Sequence, residues 1–217
     1  MEKLVEVDAR ALLKLTEELA EIPQVIPQAV ASAINKTMSS TVTQIKREVA
    51  SEYTVKQKDV SKAIKQTKAR SSRLKAAAVA GGGQISLFKF KHTPPLPPPR
   101  QKYKNPVKVA VKKGGGAKVV RRFGNPAFIN NLKWKANDGS EGVSTAILVR
   151  LRKKKAYPIK KLYSTSIAQM ISDANDSKGS IKRIKARTEE MLTKRVDEEI
   201  NYRLDKAKQK AGKGGSK

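Results

Sequence analysis

Residues 60–137 contain nineteen lysines and arginines and not one aspartate or glutamate. Such a stretch cannot neutralise itself through internal ion pairs. Any compact structure it forms must spread its cations over a surface or meet anions supplied from elsewhere. Extending the window to residue 172 adds seven bases and only Asp138 and Glu141, so residues 60–172 hold +24 of the chain's net charge of +28. Acids concentrate toward the two ends, in residues 2–21 and 189–205. This segregation is expected of a middle region that faces nucleic acid or an acidic partner.

With 217 residues, 38% of them hydrophobic and only 5% aromatic, the chain can build one modest core with extensions. Parts of it are expected to be arms or interfaces that order against a partner. The absence of cysteine excludes disulfides, thiolate metal sites and cysteine nucleophiles. The opening MEKLVEVDAR is acidic, and no run approaches the roughly 18 apolar residues of a membrane span, so a soluble protein without a signal peptide is expected.

Apolar periodicity predicts a helix from Asp8 to Glu21, closed by Pro23, and a second one after Pro27. In the second, Val30, Ala33, Ile34, Met38, Val42, Ile45 and Val49 trace one continuous face. A short basic helix follows Thr54 and fades near Lys68. LKAAAVA is expected to be a strand returning through Gly81-Gly82-Gly83 to ISLFKF. TPPLPPPR must be an extended arm, since proline lacks the donor that helix or central strand requires. VKVAVKK alternates at period two and returns through Gly114-Gly115-Gly116 to KVVRRF; TAILVRL is a further strand, with Ile147, Val149 and Leu151 on one face. Helix resumes at Ser166–Ser172, breaks at DANDSKGS, and continues from Ile181 with Ile184, Thr188, Leu192, Val196, Ile200 and Leu204 in one stripe. The predicted class is α+β: N-terminal helices, a central, mostly antiparallel sheet of four to five short strands, and a C-terminal helix. The regions are 1–70 helical, 71–163 basic and β-rich with the proline arm at 93–106, 164–207 helical, and 208–217 a disordered basic tail.

No acid, base, nucleophile or metal set converges in this sequence, so neither catalysis nor a cofactor or metal is expected. His92 is alone and reads as a surface-loop histidine. Glu17-Glu18 and Glu189-Glu190 read as solvated helix faces, and both glycine triplets as turns, because neither is followed by the Lys-Ser/Thr of a phosphate-binding loop. What remains is the basic middle. Lys112, Lys113, Arg121, Arg122, Arg150, Arg152, Lys153, Lys154, Lys155, Lys160 and Lys161 are candidates for contact with phosphates. The aromatics among them lack the spacing of a base-stacking module, so contact, where made, is blind to sequence. The run RKKK could equally be a nuclear address or lysines guarding a strand edge.

Five pieces in order resemble the minor tail protein Z family of long-tailed phages and prophages. They are IPQAVASAINKTMSSTVTQIKREVASEYTV at residues 26–55, KQKDVSKAI after it, LKAAAVAGGGQISLFKF, NPAFINNLK at 125–133 and YPIKKLYSTSIAQMI at 157–171. On that resemblance Ala33, Ile34 and Asn35 belong to the family's helix core, Phe90 and Pro94 to the end of a first hairpin, Ala127, Phe128 and Ile129 to a central strand, and Tyr157, Pro158 and Ile159 to a turn. The proline arm and Lys-Gly tail depart from it. The resemblance implies a non-enzymatic, tail-completion protein in the virion, at the head-proximal end of the tail, made in the host cytoplasm. Its implied partners are copies of itself in a ring, six by analogy with tail symmetry, tail terminator or tail tube proteins, head-tail connector proteins, and phage DNA through phosphates; no membrane is involved. The alternative reading is a sequence-independent, basic nucleic-acid-binding protein.

Overall fold

The structure, a computed structural model, describes residues 2–8, 25–97, 106–152 and 157–214. In chain order the elements are β1 (Glu2–Asp8), α1 (Val25–Glu52), α2 (Gln57–Ala63), β2 (Ile64–Thr67), β3 (Lys75–Ala80), β4 (Lys91–Thr93), β5 (Lys108–Ala110), β6 (Lys118–Val119), β7 (Arg121–Arg122), β8 (Asn125–Pro126), β9 (Phe128–Lys135), β10 (Glu141–Arg150), β11 (Ile159–Lys161), α3 (Ile167–Lys178) and α4 (Ser180–Gly214). This is an α+β chain with antiparallel pairing throughout. The strands are distributed over small sheets, ordered β1-β3-β2, β11-β10-β9, β4-β5-β6 and β7-β8. Two compact units form: residues 1–47, 62–81 and 171–217, and residues 48–61 and 82–170.

In the first unit the apolar stripe of α1 is buried: Val30, Ile34, Met38, Val42 and Ile45 are each at most 3% exposed. Burial contributes about 1.5–3 kcal/mol for each such side chain, and this holds a helix that carries no acid in its first turn and no base in its last. The stripe on α4 is buried too, at Ile184, Thr188, Leu192, Val196 and Ile200. The two helices run antiparallel. Arg203 Nη1 donates to Gln28 Oε1 at 3.2 Å, Lys36 is paired with Glu199, Arg195 Nη2 donates to Ser40 Oγ at 3.0 Å, and the Thr41 and Thr188 hydroxyls share a hydrogen bond of 2.9 Å. The threonine pair satisfies two hydroxyls that burial would otherwise penalise.

Beside them, β3 buries Ala76, Ala78 and Ala80 at 0% exposure between β1 and β2. Alanine favours helix in isolation, but strand neighbours on both edges decide the matter here. Those neighbours also explain a difference from the expected pairing. ISLFKF cannot return on β3, because both edges are taken; it holds a single 3-10 turn at Leu87–Lys89, and Ser86 bridges to Tyr163 instead. Asn35 closes this unit's loop after β2, its Nδ2 donating to the Ala69 carbonyl at 3.0 Å while its Oδ1 accepts from the Ala69 amide at 2.8 Å.

Several boundaries differ from those the sequence suggests. The helix predicted between Asp8 and Glu21 falls on residues 9–24, outside the described residues, and Asp8 itself ends β1. Helix α1 starts ahead of Pro27, since a first-turn proline forfeits no hydrogen bond. The basic helix stops at Ala63, where Ile64 pairs with Ala80 in β2. DANDSK stays helical, and the only break is Gly179, whose φ of 61° suits the left-handed cap that ends α3. Helix α4 runs on to Gly214, through most of the segment read as a tail. Pro158 leads into β11, not into a helix, and His92 is half-buried in β4 with Nδ1 2.7 Å from the Phe90 carbonyl oxygen. The proline arm begins after Thr93, which closes β4; residues 98–105 lie outside the described residues.

Two outcomes follow for the first unit. Asn35→Ala removes both bonds to a buried backbone and should lower stability by about 1–3 kcal/mol in denaturant unfolding; a loss below about 0.5 kcal/mol contradicts the clamp. The hydrogen bond from Lys36, opposed by burial, holds the Glu199 carboxyl below its ordinary value of 4.5. Because the folded-state value is depressed, this stabilisation is complete above that pH and is lost as pH falls through the folded value. Unfolding of Glu199→Gln should therefore show a shallower loss of stability on acidification than the parent.

Candidate nucleic-acid interface

The second unit is organised by β10, whose residues 146–149 are all buried. Strand β11 pairs with the end of β10, Arg150 opposite Ile159 and Val149 opposite Lys160, so Arg150 and Lys160 lie at one edge with their side chains on opposite faces. Arg121 and Arg122 reach the same edge by another route. They pair with Pro126 and Asn125 across a two-residue turn, and Asn125 Nδ2 donates to the Arg150 carbonyl at 2.8 Å. The buried Asn125 amide thus ties the β7-β8 hairpin to the end of β10. Arg121, Arg122, Arg150, Arg152 and Lys160 are all exposed.

Aromatic rings lie beneath some of these cations. The Arg122 guanidinium stands 5.2 Å from the Phe123 ring centre, that of Arg150 5.2 Å from Phe128, and the Lys161 ammonium 5.5 Å from Tyr163. Each contact contributes about 0.5–1 kcal/mol at an exposed site and holds a cation without neutralising it. Phe123 and Gly124 form the turn with φ of 53° and 72°. Positive φ is uncommon for phenylalanine, and here it projects an exposed ring at the hairpin tip beside the two arginines.

Other candidates stand elsewhere. Lys112 and Lys113 belong to the loop after β5, where the Lys113 amide donates to the Glu52 carbonyl at 2.7 Å and the Lys112 ammonium lies 5.5 Å from the Tyr53 ring centre. They are five residues along from the Val107 carbonyl that accepts from Val120, roughly 16 Å in extended chain. Lys161 is only half-exposed, and Lys153, Lys154 and Lys155 lie outside the described residues. Among the family-pattern residues, Ala33, Ile34, Phe90, Ala127 and Ile129 are buried, Asn35 is the clamp already described, Phe128 supports Arg150, and Ile159 opens β11. Pro94 and Pro158 follow cis peptide bonds, and Tyr157 is exposed.

Sequence reasoning passed over one structure, the outer part of the β9-β10 hairpin. Beyond Asn131 and Thr145, whose side chains are bonded at 2.8 Å, the two strands continue as a ribbon to a turn at residues 136–140. Trp134 is 47% exposed and Val143 63%. The Trp134 indole lies across Gly142, where an added Cβ would come within 2.6 Å of its Cζ2. At the turn, hydrogen bonds from the Ser140 hydroxyl, at 2.6 Å, and amide, at 2.9 Å, hold the Asp138 carboxyl below the ordinary carboxylate range. The signal for this ribbon was available: FINNLKWK and EGVSTAILVR flank a DG turn.

A cleft of about 520 Å³, whose lining includes Lys36, Lys68, Arg195 and Glu199, belongs wholly to the first unit. Among the described residues no group of three His, Asp or Glu side chains could hold a metal, and no helix is long and apolar enough to cross a membrane. The fold defines an α+β protein whose distinguishing described surface is an edge of exposed cations. A profile of the prophage minor tail protein Z (GPZ) family matches residues 12–210. The chain belongs to that family, and so to the minor tail proteins of bacteriophages. No curated protein and no solved structure matches it.

Gly142→Ala should displace the indole from the ribbon, shifting Trp134 emission to the red while costing less than about 1 kcal/mol in stability. Unchanged emission would contradict the contact.

Proposed function

We propose that this minor tail protein completes the tail: it closes as a homo-oligomeric ring at the head-proximal end, joins tail to head, and meets the genome end through its cationic edge. The observation that supports the DNA contact is that Arg121, Arg122, Arg150 and Lys160, all exposed, come from three separate segments whose backbones meet through strand pairing and the Asn125–Arg150 bond, so that cations line both faces of one edge. Among the described residues Lys89 reaches Asp59 and Lys135 reaches Glu141, each at 3.0 Å, and neither pair belongs to that edge. Guanidinium and ammonium groups presented on strand ends contact a phosphate backbone of any sequence. Family membership supports the tail, and segregated charge supports a surface that is satisfied only on assembly.

Electron microscopy of purified protein mixed with tail tubes tests the placement. Rings at one tail terminus are expected; decorated nucleic acid without tail binding supports a free, sequence-independent nucleic-acid-binding protein instead. For the contact itself, neutralising Arg121, Arg122 and Arg150 to glutamine in the assembled ring should reduce the slope of log affinity against log salt by about 2–3, close to 0.9 per phosphate lost. The same measurement on a variant neutralised at Lys153, Lys154 and Lys155 tests the run RKKK. An unchanged affinity and slope in both variants defeats the DNA contact.

A further inference from the structure

The β9-β10 ribbon has properties that the cationic edge does not use. Among the described residues β9 pairs only with β10, and β11 covers β10 only from Leu148 to Arg150, so no described strand pairs with either edge of the outer ribbon. An isolated two-stranded ribbon is marginal in water. This one carries exposed Trp134 and, on the opposite face, exposed Val143, as their pairing with Gly142 and Lys133 dictates. It also carries both carboxylates found anywhere in residues 60–172, Asp138 in the turn and Glu141 at the first pair beyond it. Exposed Lys133 and Lys135 offset these two carboxylates, so the ribbon has no net charge to attract phosphates and nucleic acid is the less suitable occupant.

The complementary surface is present on the same chain. The loop joining β5 to β6 holds Lys112, Lys113 and Lys118 around three glycines, all exposed, and among the described residues no carboxylate lies within ion-pair distance of these lysines. Ribbon and loop belong to different sheets, and Glu141 is paired within its own ribbon, to Lys135 at 3.0 Å. Asp138, bonded to Ser140, has no ion pair among the described residues, so the turn's carboxylate and the loop's lysines are opposite in charge and not paired with each other within one copy.

We propose that the outer β9-β10 ribbon docks on the Lys112–Lys118 loop of a second copy of this chain, burying Trp134 at the contact. Such an interface joins two different patches, and repeated head to tail it closes into a ring. The inference deepens the ring reading and rests on it.

The full chain supplies the test, with self-association followed by sedimentation and by Trp134 emission, since Trp134 is the only tryptophan. Asp138→Asn with Glu141→Gln keeps an acceptor for Ser140 and removes both charges; it should weaken self-association about tenfold or more while leaving circular dichroism unchanged. Wild-type emission should shift to the blue on assembly. Two reversed variants supply a crossed arm that is independent of any folding defect: Glu141→Lys, and Lys113→Glu with Lys118→Glu. Each alone should assemble poorly, and an equimolar mixture should recover assembly.

Wild-type assembly that persists in the Asp138→Asn, Glu141→Gln variant, or a mixture that fails to recover it, overturns the ribbon contact and leaves the ring reading standing. Ribbon-dependent assembly that ignores tail ends supports the contact and counts against the tail-completion reading. A wild-type chain that stays monomeric at every concentration overturns both.

Discussion

Mutual repulsion among the cations of residues 82–170 is the constraint around which the second unit is built. With Asp138 and Glu141 as the only carboxylates in that stretch, stability must come from apolar burial and from placing like charges apart. Strand β10 meets the first need, burying residues 146–149 where β9 and β11 flank it. Its cations are sent to strand ends and turns, and several rest on aromatic rings in place of carboxylates. Contact with a ring anchors a guanidinium while leaving its charge available to a partner. The stabilising device and the functional surface are thus the same groups.

The first unit follows ordinary rules. Its helices bury continuous stripes, the buried hydroxyls of Thr41 and Thr188 pair, and Lys36 meets Glu199. Acids at both chain ends belong to this unit, and this is the chemical sense of the segregated charge. One unit can close on itself; the other keeps an unsatisfied surface.

Legibility in the sequence tracked this difference. The stripes from Val30 to Val49 and from Ile184 to Ile200 are periodic and local, and both proved buried as read. The alternation at Val107 and Val109 likewise gave β5, and its return gave β6. Pairing partners were harder, because they depend on which edges are free: LKAAAVA was a strand, but β1 and β2 occupied both its edges and displaced ISLFKF. The grouping of the basic candidates was not legible at all. Nothing in the spacing of Arg121, Arg122, Arg150 and Lys160 announces that Asn125 will bring them together, or that Lys112 and Lys113 will stand apart. Trp134 was visible as a residue, but not as the exposed face of a ribbon.

In the proposed assembly the basic surface divides into an edge that meets phosphates and a loop that meets another subunit. A cryo-electron microscopy reconstruction of the assembled tail end, with the genome terminus in place, tests this division most directly. The account predicts Arg121, Arg122 and Arg150 facing the channel; finding them turned outward to solvent, with the channel wall built from other residues, would contradict it.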